Sequence, residues 1–311
     1  MIRAMNKPKN PIQQLAIIGA TASGKSALAV EIAKEFDAII LSLDSLSIYK
    51  EIDIVSAKPT IEERDGIEHY GIDILYPDES FDVTLFMKLY QDIYQKALER
   101  EKNLIIVGGT GFYLKSMIDG ISPLPKLNEA ERGRVADEMR DIEKVYKKLE
   151  ELDPHTMQMI KPNDKYRIEK ALAIYLATDT IPSIYFQKNP PIPTIIEKLP
   201  VYNISTPRDI LRQRISKRTE RMMLDGLIDE VAELEYRYSR RPNAMKAIGI
   251  IETLSYLDGY LSRPQLIEKI ATNTARLAKR QTTFNKSQFG DIVSLDLDVL
   301  REKILDDLCL S

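Results

Sequence analysis

The chain has 311 residues, of which 44% are hydrophobic and 29% charged, and its formal net charge is −3. These values are typical of an ordinary soluble protein of about two domains. The negative net charge excludes a general attraction for nucleic acid, so a polyanionic partner would need a local basic face. No apolar run approaches the roughly 18 residues of a membrane span. Residues 1–14 are basic and polar without an apolar segment, so we expect no signal peptide and a cytoplasmic location.

The composition also limits metal and disulfide chemistry. A single cysteine, Cys309, excludes an internal disulfide, and two histidines, His69 and His155, argue against a structural zinc site. Any metal is therefore expected to be Mg²⁺ that arrives with phosphate groups.

A phosphate-binding loop follows the first apolar run. The pattern G-x-x-x-x-G-K-[ST] is matched by Gly19, Ala20, Thr21, Ala22, Ser23, Gly24, Lys25 and Ser26. Residues 15–18 are typical of a buried strand and residues 27–36 of a helix, so the loop N–H groups and the helix N-terminus should face an anion. We expect this loop to bind a di- or triphosphate, with Lys25 adding positive charge and the Ser26 hydroxyl binding Mg²⁺.

Asp44 and Ser45 follow the second predicted strand, residues 38–43. In an open parallel sheet the carboxyl ends of the strands form the ligand-binding edge, so Asp44 should lie close to the phosphate loop. From the residues alone, three roles stay open for Asp44: a Walker-B magnesium ligand, a helix N-cap and a general base. An irregular stretch, residues 46–59, comes next.

Two further strands and a capped helix follow. Residues 68–75 are expected to form an edge strand, and Asp82 to cap a helix over residues 83–100. The next strand, residues 103–107, ends in Gly108-Gly109-Thr110-Gly111, where a Walker-B strand would carry an acid. Such a glycine turn lets a substrate approach closely, with Thr110 presenting a hydroxyl. A tight turn without function is the alternative.

Two proline-rich stretches, residues 122–125 and 181–193, favour an inserted helical domain over residues 122–192. This domain is expected to hold one highly charged helix, residues 128–152, and another helix after Asn163-Asp164. Its charges are typical of a solvated helix face. The alternative is a lid that closes over a long substrate.

The chain then returns to the sheet with a predicted strand over residues 200–205. Thr206 is expected to be the N-cap of the next helix, with Pro207 at the first helical position. A strand over residues 291–297 and a helix over residues 299–308 complete the chain. The whole pattern predicts an α/β fold of the phosphate-loop NTPase type, with a parallel sheet and helices on both faces. The predicted catalytic core comprises residues 1–121 and 193–311.

The C-terminal helices carry the local basic face. Residues 205–290 hold 16 Lys and Arg against 10 Asp and Glu. Arg214 and Arg218 are four residues apart on one predicted helix and therefore share a face. A later helix opens at Ser262 with capping-box spacing, and residues 271–290 contain no acid.

Seven blocks occur in a recognisable order and spacing over residues 15–286. They are GATASGKS (19–26), DSLSIYKEIDIVSAKP (44–59), GGTGFYL (108–114), DPHTMQMIKPNDKYRIEKAL (153–172), RQRISKRTERMMLDGLIDEV (212–231), AIG (247–249) and TARLAKRQTTF (274–284). Together they resemble the tRNA dimethylallyltransferase family, which modifies adenosine at tRNA position 37, next to the anticodon. This resemblance is far more specific than a phosphate loop alone.

The resemblance implies that the loop holds the diphosphate of dimethylallyl diphosphate and that no phosphoryl group is transferred. The adenine N6 attacks the allylic carbon, Asp44 is the general base, and Mg²⁺-bound diphosphate leaves. Charge on the leaving diphosphate is expected to be stabilised by the loop amides, Lys25, Ser26 through Mg²⁺, Thr110 and Arg218. Arg214 is the alternative to Arg218 as the arginine that stabilises the leaving diphosphate. No water is activated, which fits the missing Walker-B acid.

The resemblance also implies a set of tRNA contacts. They fall on Asp44, Ser45, Leu46, Ser47, Thr110, Arg132, Tyr166, Arg167, Lys170, Arg276, Lys279 and Arg280. The target adenine must leave its stack at a cost of a few kcal/mol, and phosphate contacts make the affinity salt-dependent. The expected partners are tRNA and dimethylallyl diphosphate, and the protein is expected to be a monomer with no membrane partner.

Several positions depart from the family pattern. Ala20 replaces the usual proline of the loop, and Ser47 stands where the family commonly has a glutamine. A Q-x-x-x-R pattern becomes Tyr166 to Lys170, which exchanges a bidentate arginine for a point charge. Since the catalytic set is intact, these departures bear on tRNA recognition more than on the reaction.

Three other functions compete with this hypothesis. A small-molecule or nucleotide kinase fits the phosphate loop but leaves the glycine turn and the basic helices unexplained. A prenyltransferase acting on free AMP or ADP keeps Asp44 but does not require the inserted domain. A nucleic-acid-binding module switched by a nucleotide needs the basic faces but gives Asp44 no role.

Overall fold

The computed structural model describes residues 12–290 and 292–309, and the chain divides into two compact units. The core unit consists of the described residues up to Lys115 and from Ile195 onward. The helical unit is Ser116–Thr194, where the sequence predicts residues 122–192. Two sequence predictions fall partly outside the described residues. One is the absence of a signal peptide, which concerns residues 1–14, and the other is the last strand, whose first residue is not described.

The core unit contains one six-stranded sheet. Its strands are β1 (Gln14–Gly19), β2 (Ala38–Ser42), β3 (His69–Tyr70), β4 (Asn103–Gly108), β5 (Val201–Ile204) and β6 (Val293–Leu295). All neighbours are parallel, in the order β3-β2-β4-β1-β5-β6. The central strands are nearly continuous apolar runs because both faces of a parallel sheet are covered. The predicted parallel α/β fold is confirmed.

Fourteen α-helices are described within residues 12–290 and 292–309. They are α1 (Lys25–Glu35), α2 (Ile61–Arg64), α3 (Val83–Glu99), α4 (Gly111–Asp119), α5 (Glu129–Glu138), α6 (Ile142–Leu152), α7 (Pro154–Met157), α8 (Lys165–Thr178), α9 (Pro182–Lys188), α10 (Arg208–Leu224), α11 (Leu227–Tyr238), α12 (Ile250–Leu257), α13 (Arg263–Gln288) and α14 (Leu297–Cys309). None of these helices combines the length and the apolar character needed to cross a bilayer.

Two large apolar clusters pack within the core unit. Around the central strands, Leu28 and Ile32 of α1 and Leu300 and Ile304 of α14 pack against the sheet. A second cluster joins residues 48–55 to α11, α12 and the start of α13. The second cluster fixes the irregular stretch after β2 against the C-terminal helices, which places that stretch beside the carboxyl edge of the sheet.

The helical unit has its own apolar core. Val135, Val145, Leu149, Ile168 and Leu172 pack together from α5, α6 and α8. Each of these side chains is at least 95% buried, so the charged residues of the same helices lie on their outer faces.

Two predictions about the helical unit are wrong. The single charged helix over residues 128–152 is two helices, because the Asp141 side chain accepts the Lys144 N–H at 3.0 Å and starts a new helix there. The stretch 181–193 is not only a linker, since it contains α9. Pro182 occupies the first turn of α9, where its fixed φ suits a helix, and the Asp153 carboxylate accepts the Ser183 N–H at 2.7 Å.

Some boundaries in the core unit also differ from the sequence prediction. The edge strand over residues 68–75 is reduced to β3, because the chain turns away at Gly71 with φ of 79°. Thr206 does not cap α10, whose N-cap is Pro207 without a side-chain hydrogen bond. The cap of α3 is confirmed, since Asp82 Oδ1 accepts the N–H groups of Thr84 and Leu85.

Candidate active site

The phosphate loop lies between β1 and α1, as its pattern predicts. Gly24 is the N-cap of α1 and has φ of 95°, a left-handed conformation that glycine adopts without steric cost. Ser26 is the second residue of α1, and its side chain is exposed. The loop therefore directs backbone N–H groups and the helix N-terminus toward an anion.

A cavity of about 550 Å³ opens at the carboxyl edge of the sheet. It brings together five of the predicted catalytic or diphosphate-binding residues from distant parts of the chain, namely Thr21, Lys25, Asp44, Thr110 and Arg218. β1, β2 and β4 supply four of them, directly or through the loops that follow, because parallel strands end at the same edge. The fifth comes from α10.

Asp44 is held by the turn that follows β2. Its Oδ1 accepts the N–H groups of Leu46 at 2.8 Å and Ser47 at 3.1 Å. Within the described residues, its other carboxylate oxygen accepts no hydrogen bond. One oxygen thus fixes the orientation of the carboxylate, and the other is left for a ligand in the cavity.

Lys25 and Arg218 supply positive charge to the cavity. Burial lowers the pKa of the Lys25 ammonium to about 8, the Asp44 carboxylate opposes this change, and the Arg218 guanidinium adds to it. Burial also lowers the pKa of Arg218, again opposed by Asp44. Two cations and one carboxylate therefore share a partly desolvated space, in which an anion would be bound strongly.

The structure distinguishes Arg218 from Arg214. Arg218 lines the cavity, and its Nη1 lies 3.3 Å from Thr21 Oγ1. Arg214 is exposed and donates to the backbone oxygens of Ala22 and Ser23, at 3.4 and 3.2 Å, from outside the cavity. The geometry favours Arg218 as the arginine that meets a ligand.

The residues predicted to contact tRNA fall into separate groups in the core unit. Ser45, Leu46 and Arg280 line the cavity. Ser47 is only 4% exposed, so its contribution is the backbone N–H that orients Asp44. Arg276 and Lys279 instead line a second groove of about 600 Å³ between α10 and α13. Arg208 and Arg212 lie in the same groove.

In the helical unit, the predicted tRNA contacts lie at the start of α8 and on α5. Tyr166 is 70% exposed, and the Lys170 ammonium lies 5.5 Å from the centre of its ring. Arg167 pairs with Asp164 at 2.8 Å. Arg132 lines a groove of about 390 Å³. These cationic and aromatic groups are available for a polyanion.

Sequence reasoning missed two residues at the site. Gln281 lines the cavity, and its Oε1 accepts the Thr21 N–H at 2.9 Å. Glu230 of α11 lies outside the cavity lining but accepts three N–H groups from the loop that contributes Val55 and Ser56 to the wall. The helical spacing of Leu277, Gln281 and Asn285 could have placed Gln281 on the face that lines the cavity.

The described residues contain no group of three or more His, Cys, Asp or Glu side chains that could hold a metal ion. The Ser26 hydroxyl, exposed at the start of α1, is the donor that the phosphate loop provides. This donor set fits Mg²⁺ that is carried mainly by a diphosphate, since Mg²⁺ keeps several waters and few protein ligands.

Comparison with known proteins assigns the family. The model of the IPP transferase family matches residues 47–288. The chain belongs to this family. Relatives of the chain named tRNA dimethylallyltransferase include one from Sulfurovum sp. (strain NBC37-1), 58% identical over 95% of this chain and 98% of the relative. Another, from Sulfurimonas denitrificans, is 53% identical over 95% of this chain and 99% of the relative.

Solved structures of IPP transferases share the fold. A full-length tRNA isopentenylpyrophosphate transferase from Bacillus halodurans superposes with a TM-score of 0.70 at 30% identity, covering 96% of this chain and 95% of that chain. A eukaryotic dimethylallyltransferase, described as acting on tRNA, has a TM-score of 0.81 at 26% identity over 91% of this chain and 74% of that one.

Proposed function

We propose that this protein transfers a dimethylallyl group from dimethylallyl diphosphate to N6 of adenosine at tRNA position 37 and releases diphosphate. The observation that carries this proposal is the meeting of Asp44 with Lys25, Thr110 and Arg218 in one cavity beside the phosphate loop. The names of the relatives support the same donor group and the same acceptor.

In the proposed reaction, the adenine N6 forms a bond to the allylic carbon while the bond from that carbon to the diphosphate oxygen breaks. The free carboxylate oxygen of Asp44 accepts the N6 proton, because Oδ1 is already held by two backbone N–H groups. The leaving diphosphate takes the bonding electron pair. The reaction is balanced without an activated water.

Positive groups around the loop stabilise the charge that develops on the leaving diphosphate. Lys25 and Arg218 line the cavity, and the loop N–H groups and the Thr110 hydroxyl add dipoles. Mg²⁺ bound to the diphosphate would supply further Lewis-acid stabilisation, with the Ser26 hydroxyl as its protein ligand. The apolar part of the lining, including Val55, Met222 and Leu277, suits a prenyl chain.

We propose that tRNA is bound by the basic groove between α10 and α13 and by the cationic and aromatic groups of the helical unit. The groove is lined by Arg208, Arg212, Arg276 and Lys279, and the part of the chain that the structure describes adds no acidic side chain to this lining. Phosphate contacts there would offset the few kcal/mol needed to unstack the target adenine.

The test is incubation with radiolabelled dimethylallyl diphosphate, Mg²⁺ and either total tRNA or free AMP. We expect label in tRNA, at the adenosine next to the anticodon after nuclease digestion and mass spectrometry. Label on AMP alone would indicate a free-nucleotide prenyltransferase. Phosphoryl transfer from ATP without any prenyl transfer would indicate a kinase. Either of these results would contradict the proposed function.

A further inference from the structure

The glycine turn after β4 packs against two amide side chains of α13. Gln281 and Asn285 are four residues apart, so both lie on one face of the helix. A Cβ on Gly109 would lie 2.5 Å from Gln281 Nε2, and one on Gly111 would lie 2.5 Å from Asn285 Oδ1. A side chain at either position would therefore require the amide group that it meets to shift.

Gln281 also binds the phosphate loop. Its Oε1 accepts the N–H of Thr21 at 2.9 Å, which joins α13 to a backbone group of the loop. On its other side, the Thr21 hydroxyl lies 3.3 Å from Arg218 Nη1. Thr21 is therefore held through its backbone by α13 and through its side chain by α10.

Gln281 thus contacts both the phosphate loop and the glycine turn that carries Thr110. One end of its amide binds the phosphate loop, and the other lies against the glycine turn that presents Thr110. A change in the length or polarity of this side chain would therefore alter the distance between the loop and the turn.

We propose that Gln281 is a positioning residue of the transfer reaction, which sets the spacing of Thr21 and Thr110 around the leaving diphosphate. This inference rests on the proposed function for its kinetic consequences. Its structural consequence does not, since Gln281 holds Thr21 of the phosphate loop whether or not a prenyl group is transferred.

A different role for Gln281 gives a different kinetic result. Its neighbour Arg280 also lines the cavity, and Arg276 and Lys279 lie on the same helix. If Gln281 served tRNA binding, its loss would raise the KM for tRNA and leave diphosphate binding unchanged. A positioning residue for the loop affects the donor side and kcat instead.

The decisive variant is Gln281→Met, which keeps the length of the side chain and removes its hydrogen-bonding groups. Gln288→Met is the matched control, since Gln288 is also on α13 and its Nε2 donates to Ser287 Oγ, away from the cavity. Binding of inorganic diphosphate with Mg²⁺ is measured by calorimetry without tRNA, followed by steady-state kinetics with both substrates.

We expect Gln281→Met to weaken diphosphate binding by about tenfold, the effect of losing roughly one well-placed hydrogen bond. The KM for dimethylallyl diphosphate should rise and kcat should fall, while the KM for tRNA stays unchanged and Gln288→Met behaves as wild type. If Gln281→Met does not fold, Gly109→Ala replaces it in the test. The Cβ of this alanine would displace the Gln281 amide from the side of the glycine turn, so we expect weaker diphosphate binding and a higher KM for dimethylallyl diphosphate.

Diphosphate binding that is unchanged or tighter in a folded Gln281→Met variant would overturn the inference. A rise confined to the KM for tRNA would also overturn it. If the wild type transfers no prenyl group, the proposed function fails separately, and the diphosphate titrations still decide whether Gln281 positions the loop.

Discussion

Arg218 of α10 lies 3.3 Å from the hydroxyl oxygen of Thr21, so a helix from the C-terminal half of the chain reaches the phosphate loop. Its Nη2 also lies 3.5 Å from the Ser56 carbonyl oxygen, which fixes the guanidinium across the cavity. Arg218→Lys keeps the charge and removes this two-sided geometry. We expect kcat/KM for dimethylallyl diphosphate to fall by about 10- to 100-fold, measured by steady-state kinetics.

Arg214→Lys is the control for this prediction. Arg214 is one helical turn away and approaches the outside of the loop. As an exposed side chain it should change kcat/KM by no more than about threefold. A larger loss for Arg214→Lys than for Arg218→Lys would mean that the assignment of the two arginines is reversed.

The pH dependence of diphosphate binding should report Lys25. Burial lowers its pKa to about 8, so in the free protein the ammonium loses its proton as the pH rises through that value. A diphosphate binds the charged form better, so affinity should be constant below this pH and fall above it by up to about tenfold per pH unit. Calorimetric titrations from neutral to alkaline pH measure this decline.

Lys25→Arg separates the titration of Lys25 from that of the diphosphate itself. Arginine stays protonated throughout this range, so any decline that remains in Lys25→Arg comes from groups other than Lys25. The same alkaline decline in both proteins would show that Lys25 does not control it.

Glu230 stabilises the wall of the cavity. Its carboxylate accepts the N–H groups of Asp53, Ile54 and Val55 at 2.7 to 3.0 Å. Glu230→Gln replaces one acceptor by a donor and leaves an N–H unpaired. We expect the free energy of unfolding to fall by about 1–3 kcal/mol in urea titrations.

Glu233→Gln is the matched variant for Glu230→Gln, since Glu233 is on the same helix and forms an exposed pair with Arg237. Its effect should stay below about 1 kcal/mol. Equal destabilisation by both variants would show that the three backbone contacts of Glu230 add no more to the free energy of unfolding than an exposed ion pair does.

The basic groove should control the salt dependence of tRNA binding. Replacing Arg276 and Lys279 by glutamine removes two of the four cations in the groove. The slope of log K against log salt should become shallower by about one for each tRNA phosphate that these cations no longer neutralise. Lys303→Gln, on α14 and paired with Asp307, should leave the slope unchanged. If replacing Arg276 and Lys279 leaves the salt dependence unchanged, tRNA does not bind in this groove.

The residues at the carboxyl edge of the sheet were predictable from sequence because each motif lies within one short stretch of the chain. Three apolar strands can each be recognised on their own, because one is followed by the phosphate loop, one by Asp44 and one by the glycine turn. Parallel strands then bring the three ends together without further information. The cavity residues that follow β1, β2 and β4 obey this rule.

The rest of the site depends on how distant helices pack. Gln281 and Thr21 are 260 positions apart, and no periodicity relates them. Arg214 and Arg218 share a helix face, so only the position of α10 along the loop decides between them. The helix break at Asp141 was not predictable for another reason. The charged sequence is continuous across it, and only the side-chain cap that Asp141 provides starts a new helix there.

Asp44 has the central role in the proposed reaction, since it takes the proton from the adenine N6 during prenyl transfer. Asp44→Asn retains an oxygen for the N–H groups of Leu46 and Ser47, so the turn should persist while the base is lost. Asp92→Asn, an exposed position on α3, is the control.

The most direct measurement is the single-turnover rate of label transfer from dimethylallyl diphosphate to tRNA, at saturating concentrations of both substrates. We expect Asp44→Asn to bind both substrates normally and to react about 10²- to 10⁴-fold more slowly than wild type, as for loss of a general base. Asp92→Asn should match wild type. A rate for Asp44→Asn within a few-fold of wild type would contradict the role of Asp44 as the base.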